Sequence, residues 1–288
     1  MSSASSEQVL VLGANGFIGS TICQYLRNQS IPFSAPTRQE CDLLNLAQTQ
    51  SYLEQFEQQQ IKVVFGAAIP RRVADLPEAM LRNIQMVSNF ILGADTLVLK
   101  SLIFLSSIDV YGSPKEIPIK ENTIPHPNNF YAVSKTCGEY LLKEAWPIIP
   151  LTILRLPGIY GKGDTDNSIV SIFAQKIQER STLTLTNNGT SLRDYVTVMD
   201  LCKFIYRLLQ NPCAGTFNIA TGKSMTMLAI AQLIAQSLRC KTNIVLDEKD
   251  NTHFNICLSN RKLCEAFPDF YFTTMESGIR NYISEIIS

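Results

Sequence analysis

Histidine is almost missing from this sequence: only His126 and His253 occur among 288 residues. A metal centre built on several histidines is thereby nearly excluded, and no metal is expected. An excess of charge of one sign is missing too, because 25 Lys and Arg balance 25 Asp and Glu. Nucleic-acid binders usually carry a strong basic excess, so no nucleic-acid partner is expected. A local basic pocket for an anionic ligand stays open. No apolar run approaches the roughly 18 residues that a membrane helix needs, so no membrane partner is expected either. Met1 to Gln8 is Ser-rich and acidic rather than basic and then apolar. It reads as a disordered tail, not a signal peptide. The eight cysteines form no CxxC pair and no compact framework. Such usage points to a reduced, cytoplasmic compartment, with most cysteines acting as small apolar residues.

What is present is a 45% apolar chain, enough for a sizeable core. Short apolar runs alternate with helical patterns. Strands are expected at 9–12, 31–35, 62–65, 102–105 and 151–154. Helices are expected after the first glycines and at 48–59, 78–99 and 130–145. This alternation implies parallel βαβ units in an α/β, doubly wound sheet. Beyond about residue 160 the alternation loosens. Helical patterns at 167–179, 199–210 and 226–238 are separated by strand-like pieces at 183–185 and 217–219. The expected organisation is a tail at 1–8, a dinucleotide-binding domain at 9–160 to which later strands contribute, and a smaller mixed α/β substrate lobe at 161–288.

Gly13-Ala14-Asn15-Gly16-Phe17-Ile18-Gly19 has GxxGxxG spacing directly after a strand and at the opening of a helix. Glycines there allow a tight turn and close approach of a pyrophosphate to backbone N–H groups, with the helix N-terminus behind it. Gly13, Asn15, Gly16, Phe17, Ile18 and Gly19 are therefore candidate cofactor-binding residues. NAD is usually read by an acidic side chain at the end of the second strand. Counting on from Gly19 reaches Thr37, followed by Arg38, and no carboxylate stands there. A guanidinium suits a 2′-phosphate, so NADP(H) is favoured and NAD(H) stays possible. A solvated loop is the plain alternative for Arg38. Asp42 and Leu43 are placed to flank the adenine, or Asp42 serves as a helix N-cap.

Tyr131 and Lys135 stand four apart, on one face of the expected helix at 130–145. An ammonium beside a phenol favours the phenolate, which would lower the ordinary phenol pKa near ~10. Tyr131 can then exchange a proton with a sugar or alcohol oxygen, and Lys135 can also hold a nicotinamide ribose. Ser106 and Ser107 end the strand before, on the side of an open α/β sheet where ligands sit. Ser107 is the candidate that bonds the reacting oxygen; Ser106 competes with it.

Taken together, these motifs resemble the extended short-chain dehydrogenase/reductases, in the nucleotide-sugar epimerase, dehydratase and 4-ketoreductase group. The resemblance covers nearly the whole chain. It includes the glycine loop, Ala67-Ala68 after a fourth-strand position, Asn83 in the next helix, SSxxVYG at 106–112 and YxxxK at 131–135. It continues through LRLPGIYG at 154–161, RDYVTVMD at 193–200 and GTFNIATG at 215–222. The resemblance implies a Rossmann sheet and catalytic Ser107, Tyr131 and Lys135. It places Ala67, Ala68, Asn83, Leu156 and Ile159 near the cofactor, and Asn167, Ser168 and Arg193 at the substrate. It also implies a homodimer through the helices around 78–99 and 130–145.

Departures bear on the reaction type. Dehydratases of this family carry an Asp-Glu pair after the catalytic hydroxyl, where this chain has Ile108 and Asp109. Dehydration is thereby disfavoured. Gly158 stands where many members have an Asn that holds substrate phosphates, and Thr197 where His is usual. Arg71 and Arg72 follow the strand at 62–65, where they either meet an anion or sit in a solvated loop. The expected activity is NADP(H)-dependent reduction of a 4-keto sugar nucleotide, with epimerisation of a nucleotide sugar as the alternative. A reductase of a small non-nucleotide carbonyl compound, or a non-catalytic dinucleotide-binding protein, ranks behind both.

Overall fold

The computed structural model describes residues 7–164, 168–248 and 255–287. These residues form two compact units. The first contains the described residues up to Gly112, Ile124–Arg155 and Cys202–Phe217. The second contains Ser113–Thr123, Leu156–Leu201 and the described residues from Asn218 onward. The chain therefore passes between the units several times, where the sequence suggests a single boundary at 160.

The first unit is built on strands β1 (Gln8–Leu12), β2 (Phe33–Ser34), β3 (Gln60–Phe65), β4 (Val98–Ser107), β5 (Leu151–Leu156) and β10 (Gly215–Asn218). They form one six-stranded sheet in the order β10-β5-β4-β3-β1-β2. β1 runs parallel to both β2 and β3, and β3 runs parallel to β4. The order reverses at β1, so the loops after β1 and β3 open on the switch point where α/β sheets bind ligands. Residues Val9 to Leu12 are all buried, as a strand covered on both faces requires.

Helices α1 (Phe17–Asn28), α2 (Leu46–Leu53), α3 (Pro77–Gly93), α4 (Phe130–Ala145) and α6 (Val198–Gln210) from Cys202 onward complete this unit. Under α2, α3 and α4 lies a core in which Phe65 stacks at 5.3 Å from Phe90 and 5.8 Å from Phe104. α1 and α6 meet through Tyr25 and Tyr206, whose ring centres are 5.8 Å apart.

Local chemistry trims several expected spans. The pattern at 48–59 ends as α2 at Leu53 and a short turn, because Gln58 takes a positive φ of 66°. The pattern at 78–99 stops at Gly93, since residues from Val98 join the sheet. The strand expected at 31–35 shortens to Phe33–Ser34; Pro32 has no N–H to give a ladder. The strand at 60–65 is third in the chain, not fourth.

The second unit contains β6 (Gly158–Tyr160), α5 (Ile169–Gln178), β7 (Leu183–Thr186), β8 (Leu192–Arg193) and β9 (Tyr195–Thr197). It continues with β11 (Met225–Thr226), α7 (Met227–Leu238), β12 (Ile244–Asp247), α8 (Arg261–Ala266) and α9 (Met275–Ile287). Three two-stranded pairs, β6–β9, β7–β12 and β8–β11, surround a core of α5, α7 and α9 side chains. The sequence reading does not include α8 and α9. Among the described residues no helix is long and apolar enough to cross a membrane.

Candidate active site

The glycine loop is explained by packing at its two ends and by empty space in its middle. Gly13 has φ +88°, and a Cβ there would lie 2.5 Å from the Ala67 nitrogen. A Cβ on Gly19 would lie 2.1 Å from the Gly13 carbonyl oxygen. A Cβ on Gly16 would meet only that oxygen, at an ordinary 3.7 Å. Protein packing therefore does not demand glycine at 16. The space is left for something else.

Gly16 is also the N-cap of α1, without a side-chain cap and with no acidic residue in the first turn. The first N–H groups of a helix have no partner within it, and together with the helix dipole they suit an anion. Beside this turn lies a cavity of about 290 Å³. It brings together Gly13, Asn15, Gly16, Arg38, Asp42, Leu43, Ala67 and Ala68. Phe17, Ile18 and Gly19 form the first turn of α1. Pro36, Cys41, Leu44, Ile69, Arg82 and Met86 also line the cavity and carry no sequence motif.

Arg38 is largely exposed, and its Nε lies 3.3 Å from Asp42 Oδ2. Asp42 Oδ1 accepts the Leu44 N–H at 3.0 Å. It is not the helix cap considered from the sequence: Asn45 takes that place by accepting the Gln48 N–H. Asn83 is buried, and its amide is spent on the loop after β3. It accepts the Ile69 N–H at 2.7 Å, donates back to the Ile69 carbonyl at 3.0 Å and donates to Ser134 Oγ at 3.2 Å. Asn83 therefore shapes the cavity wall, where the resemblance implies a cofactor contact.

Ser106 and Ser107 separate clearly. The Ser106 hydroxyl is buried and donates to Glu139 Oε1 at 2.6 Å. Ser107 Oγ accepts the Asp109 N–H at 3.1 Å, which leaves its own proton to donate. The helix carrying Tyr131 is capped by Asn129, which accepts the Ala132 N–H at 2.8 Å. Lys135 Nζ lies 5.7 Å from the Tyr131 ring centre, so the two side chains share a face as their spacing predicts. Nζ donates to the Leu105 carbonyl oxygen at 2.7 Å.

Electrostatics differ from the sequence expectation at Tyr131. Burial pushes its phenol above the ordinary range, and the Asp109 charge raises it further. The phenol is thus raised, where the spacing to Lys135 suggests a lowering. Burial brings the Lys135 amine down to about 8, and Glu139 opposes that shift. Asp109 is raised by its own burial, against the pull of Arg71, whose Nη1 lies 3.5 Å away. Arg71 also lies 3.6 Å from Asp75, so it is bound to carboxylates rather than loose in a loop.

In the second unit, Leu156 ends β5 and Ile159 lies in β6, both buried. Ser168 is the N-cap of α5: its Oγ accepts the Ser171 N–H at 3.1 Å. Its own N–H donates to Asp164 at 3.0 Å. Ser168 is buried, and its hydroxyl serves this cap. Asn167 lies outside the described residues. Arg193 donates to the Leu192 carbonyl at 2.7 Å, and burial lowers its guanidinium pKa. Gly158 has a local cause: a Cβ there would lie 2.3 Å from the Tyr195 ring, which pairing of β6 with β9 sets against it. Thr197 Oγ1 accepts the Asp200 N–H at 3.1 Å, at the start of α6.

The chain is similar in sequence and fold to known proteins. Over 288 aligned residues the chain is 26% identical to GDP-6-deoxy-D-talose 4-dehydrogenase of Aggregatibacter actinomycetemcomitans, covering 94% of this chain and 95% of that one. RMD from Pseudomonas aeruginosa, solved with NADPH, superposes with a TM-score of 0.83 at 23% identity, over 96% of this chain and 98% of that one. UDP-glucose 4-epimerase from Thermus thermophilus, solved with NAD, superposes with a TM-score of 0.81 at 21% identity, over 98% and 99%. Residues 9–220 match the NAD dependent epimerase/dehydratase family. That match spans most of the chain, which belongs to this family of enzymes.

Proposed function

We propose that the protein is an NADP(H)-dependent oxidoreductase that reduces a 4-keto sugar nucleotide. The observation that carries this reading is the cavity at the switch point. Its floor is a glycine that packing does not require, and its rim holds the exposed guanidinium of Arg38. Gly16 and the open end of α1 fit a pyrophosphate, and Arg38 fits a 2′-phosphate. A bound nicotinamide dinucleotide supplies the hydride.

The chain's own residues handle the proton. Tyr131, kept protonated by burial, donates to the carbonyl oxygen as it gains charge. Ser107 donates a hydrogen bond to the same oxygen. Lys135 places an ammonium under the phenol and stabilises the phenolate left behind. Arg193 is the candidate contact for the substrate diphosphate, and Leu156 and Ile159 are the candidates for the nicotinamide end. The 4-dehydrogenase relative acts at the matching carbon in the reverse sense, which supports reduction at C4.

Epimerisation is the second reading. Asp42 lines the same cavity, and a carboxylate there accepts ribose hydroxyls of NAD. A reductase of a small carbonyl compound keeps support from Gly158, which has no side chain to offer a phosphate.

Eight cysteines without a disulfide support a cytoplasmic setting. Exposed Leu81, Leu92 and Tyr140 on α3 and α4 support a homodimer through those helices. The dinucleotide domain is assigned to the sheet unit and the substrate lobe to the other. Thermal-shift measurements with UDP, GDP, TDP, CDP and ADP test the substrate class. Stabilisation by one nucleotide above the rest is expected; stabilisation by none would count against a nucleotide sugar. Tyr131→Phe should lower turnover by roughly 10²- to 10⁴-fold. Unchanged turnover would remove Tyr131 from the mechanism.

A further inference from the structure

Two side chains of α4 grip consecutive residues of β4. Lys135 Nζ holds the Leu105 carbonyl at 2.7 Å. One helical turn on, Glu139 Oε1 holds the Ser106 hydroxyl at 2.6 Å. The next residue along the strand is Ser107. The same carboxylate is gripped from β5 by Arg155, with Nε at 3.0 Å and Nη2 at 2.7 Å. The Arg155 guanidinium in turn lies 4.7 Å from the centre of the Tyr111 ring. Ser106, Glu139 and Arg155 are 2%, 3% and 4% exposed.

A buried ion pair is a poor way to gain stability, because desolvation offsets the attraction and apolar residues of equal volume often do as well. What a fixed carboxylate adds is geometry and charge. We propose that Glu139 is a positioning residue of the catalytic centre, which fixes Ser107 through Ser106 and supplies the buried negative charge opposite Lys135. The proposal rests on the reading of Ser107, Tyr131 and Lys135 as the catalytic groups.

Lys135 faces Tyr131 and Glu139 from its own helix, and the Leu105 carbonyl and the Phe104 ring, 5.0 Å away, from β4. Arg155 of β5 is bound to Glu139, and Asp109 acts on Tyr131. Burial favours the neutral amine and Glu139 favours the ammonium. Removing the Glu139 charge therefore shifts Lys135 toward its neutral form at a given pH.

The test uses three variants. Glu139→Gln keeps the volume and the acceptor for Ser106 but loses the charge. It also strands the Arg155 guanidinium, so Glu139→Gln with Arg155→Met is made beside it to remove both charges. Ser106→Ala removes one hydrogen bond and leaves the charge. Lys135 Nζ is titrated by heteronuclear NMR, its signal assigned by its loss in Lys135→Met. The pH profile of kcat is measured with GDP-6-deoxy-D-talose and NADP+.

Glu139→Gln should bind the Lys135 proton roughly tenfold more weakly, a change of one pH unit, and the double variant should shift it in the same direction by less, because the Arg155 charge is lost as well. The pH profile should shift with it, while KM for NADP+ stays within about twofold. Ser106→Ala should lower kcat by roughly 2- to 10-fold without moving the titration, the range of one hydrogen bond. An unmoved Lys135 titration in a folded charge-removing variant would overturn the proposal, as would an unmoved kcat profile in an active one. Absence of turnover by the unaltered protein would instead remove GDP-6-deoxy-D-talose as its substrate, and the NMR titration would still decide whether Glu139 holds the Lys135 proton.

Discussion

Asp75 Oδ1 accepts the backbone N–H of Tyr131 at 3.0 Å. The bond satisfies one of the donors left open at the start of α4, and its negative charge suits a helix N-terminus. It ties the loop after β3 to the residue proposed as the acid. Arg71 lies between Asp75 and Asp109, so the surroundings of Tyr131 hold two carboxylates and one guanidinium.

Asp109 sets the direction of a pH effect. Its charge raises the Tyr131 phenol, after burial. In the oxidative direction Tyr131 must lose its proton, so activity rises with pH. Asp109→Asn removes the charge and lowers the phenol pKa. The rising limb of the oxidative kcat profile should therefore move to lower pH. A limb that stays in place, or moves upward, would contradict the assignment.

The glycine loop separates stability from binding. Gly19→Ala forces a Cβ to within 2.1 Å of backbone, and should cost at least the roughly 1–3 kcal/mol of an overpacked site. Gly16→Ala meets nothing closer than 3.7 Å, and should leave the melting temperature nearly unchanged. It should nevertheless weaken NADPH binding strongly, because the methyl group takes the phosphate's place. Paired melting curves and NADPH titrations check both. Equal affinity for NADPH in Gly16→Ala would show that the phosphate lies elsewhere.

Arg38 decides between the two dinucleotides. A charge-assisted hydrogen bond is worth about 1.5–3 kcal/mol, so Arg38→Ala should raise KM for NADPH by roughly 10- to 100-fold. KM for NADH should change little. Equal effects on both cofactors would favour the epimerase reading, in which Asp42 meets the ribose.

Asp194 gives a stability test apart from catalysis. Its carboxylate accepts the Thr221 hydroxyl at 2.7 Å and the Gly222 N–H at 3.0 Å, yet burial lifts its pKa from 3.8 to about 6. The folded state thus holds this proton more tightly than the unfolded chain. Stability from this group is full below about pH 4 and is lost as pH rises through about 6. The loss is ~3 kcal/mol, since one pKa unit is about 1.4 kcal/mol. Urea unfolding between pH 4 and 7 should show the native protein losing stability relative to Asp194→Asn. A constant difference across that range would contradict it.

Much of the helix carrying Tyr131 and Lys135 and of the glycine loop is legible in the sequence because local rules govern them. The spacing of Tyr131 and Lys135 is a helical period, and the glycines are punctuation between a strand and a helix. Long-range packing was not legible. That Ser106 turns to Glu139, that Asn83 holds Ile69, and that Gly158 makes room for the Tyr195 ring all depend on residues distant in the chain. The expected fall in the Tyr131 pKa failed for the same reason: one close cation was visible as spacing, while burial and the Asp109 charge were not. Ser168 reads equally well as a ligand contact or a cap until the bond to Ser171 is seen.

Net hydride transfer to or from a nucleotide sugar defines the proposed reaction. The direct measurement is the amount of NADPH formed per GDP-6-deoxy-D-talose consumed, with NADP+ in excess and the sugar product separated. One NADPH is expected for each sugar oxidised, and no reaction once NADP+ is withheld. Conversion of the sugar to an epimer with only trace cofactor and no accumulation of NADPH would contradict it.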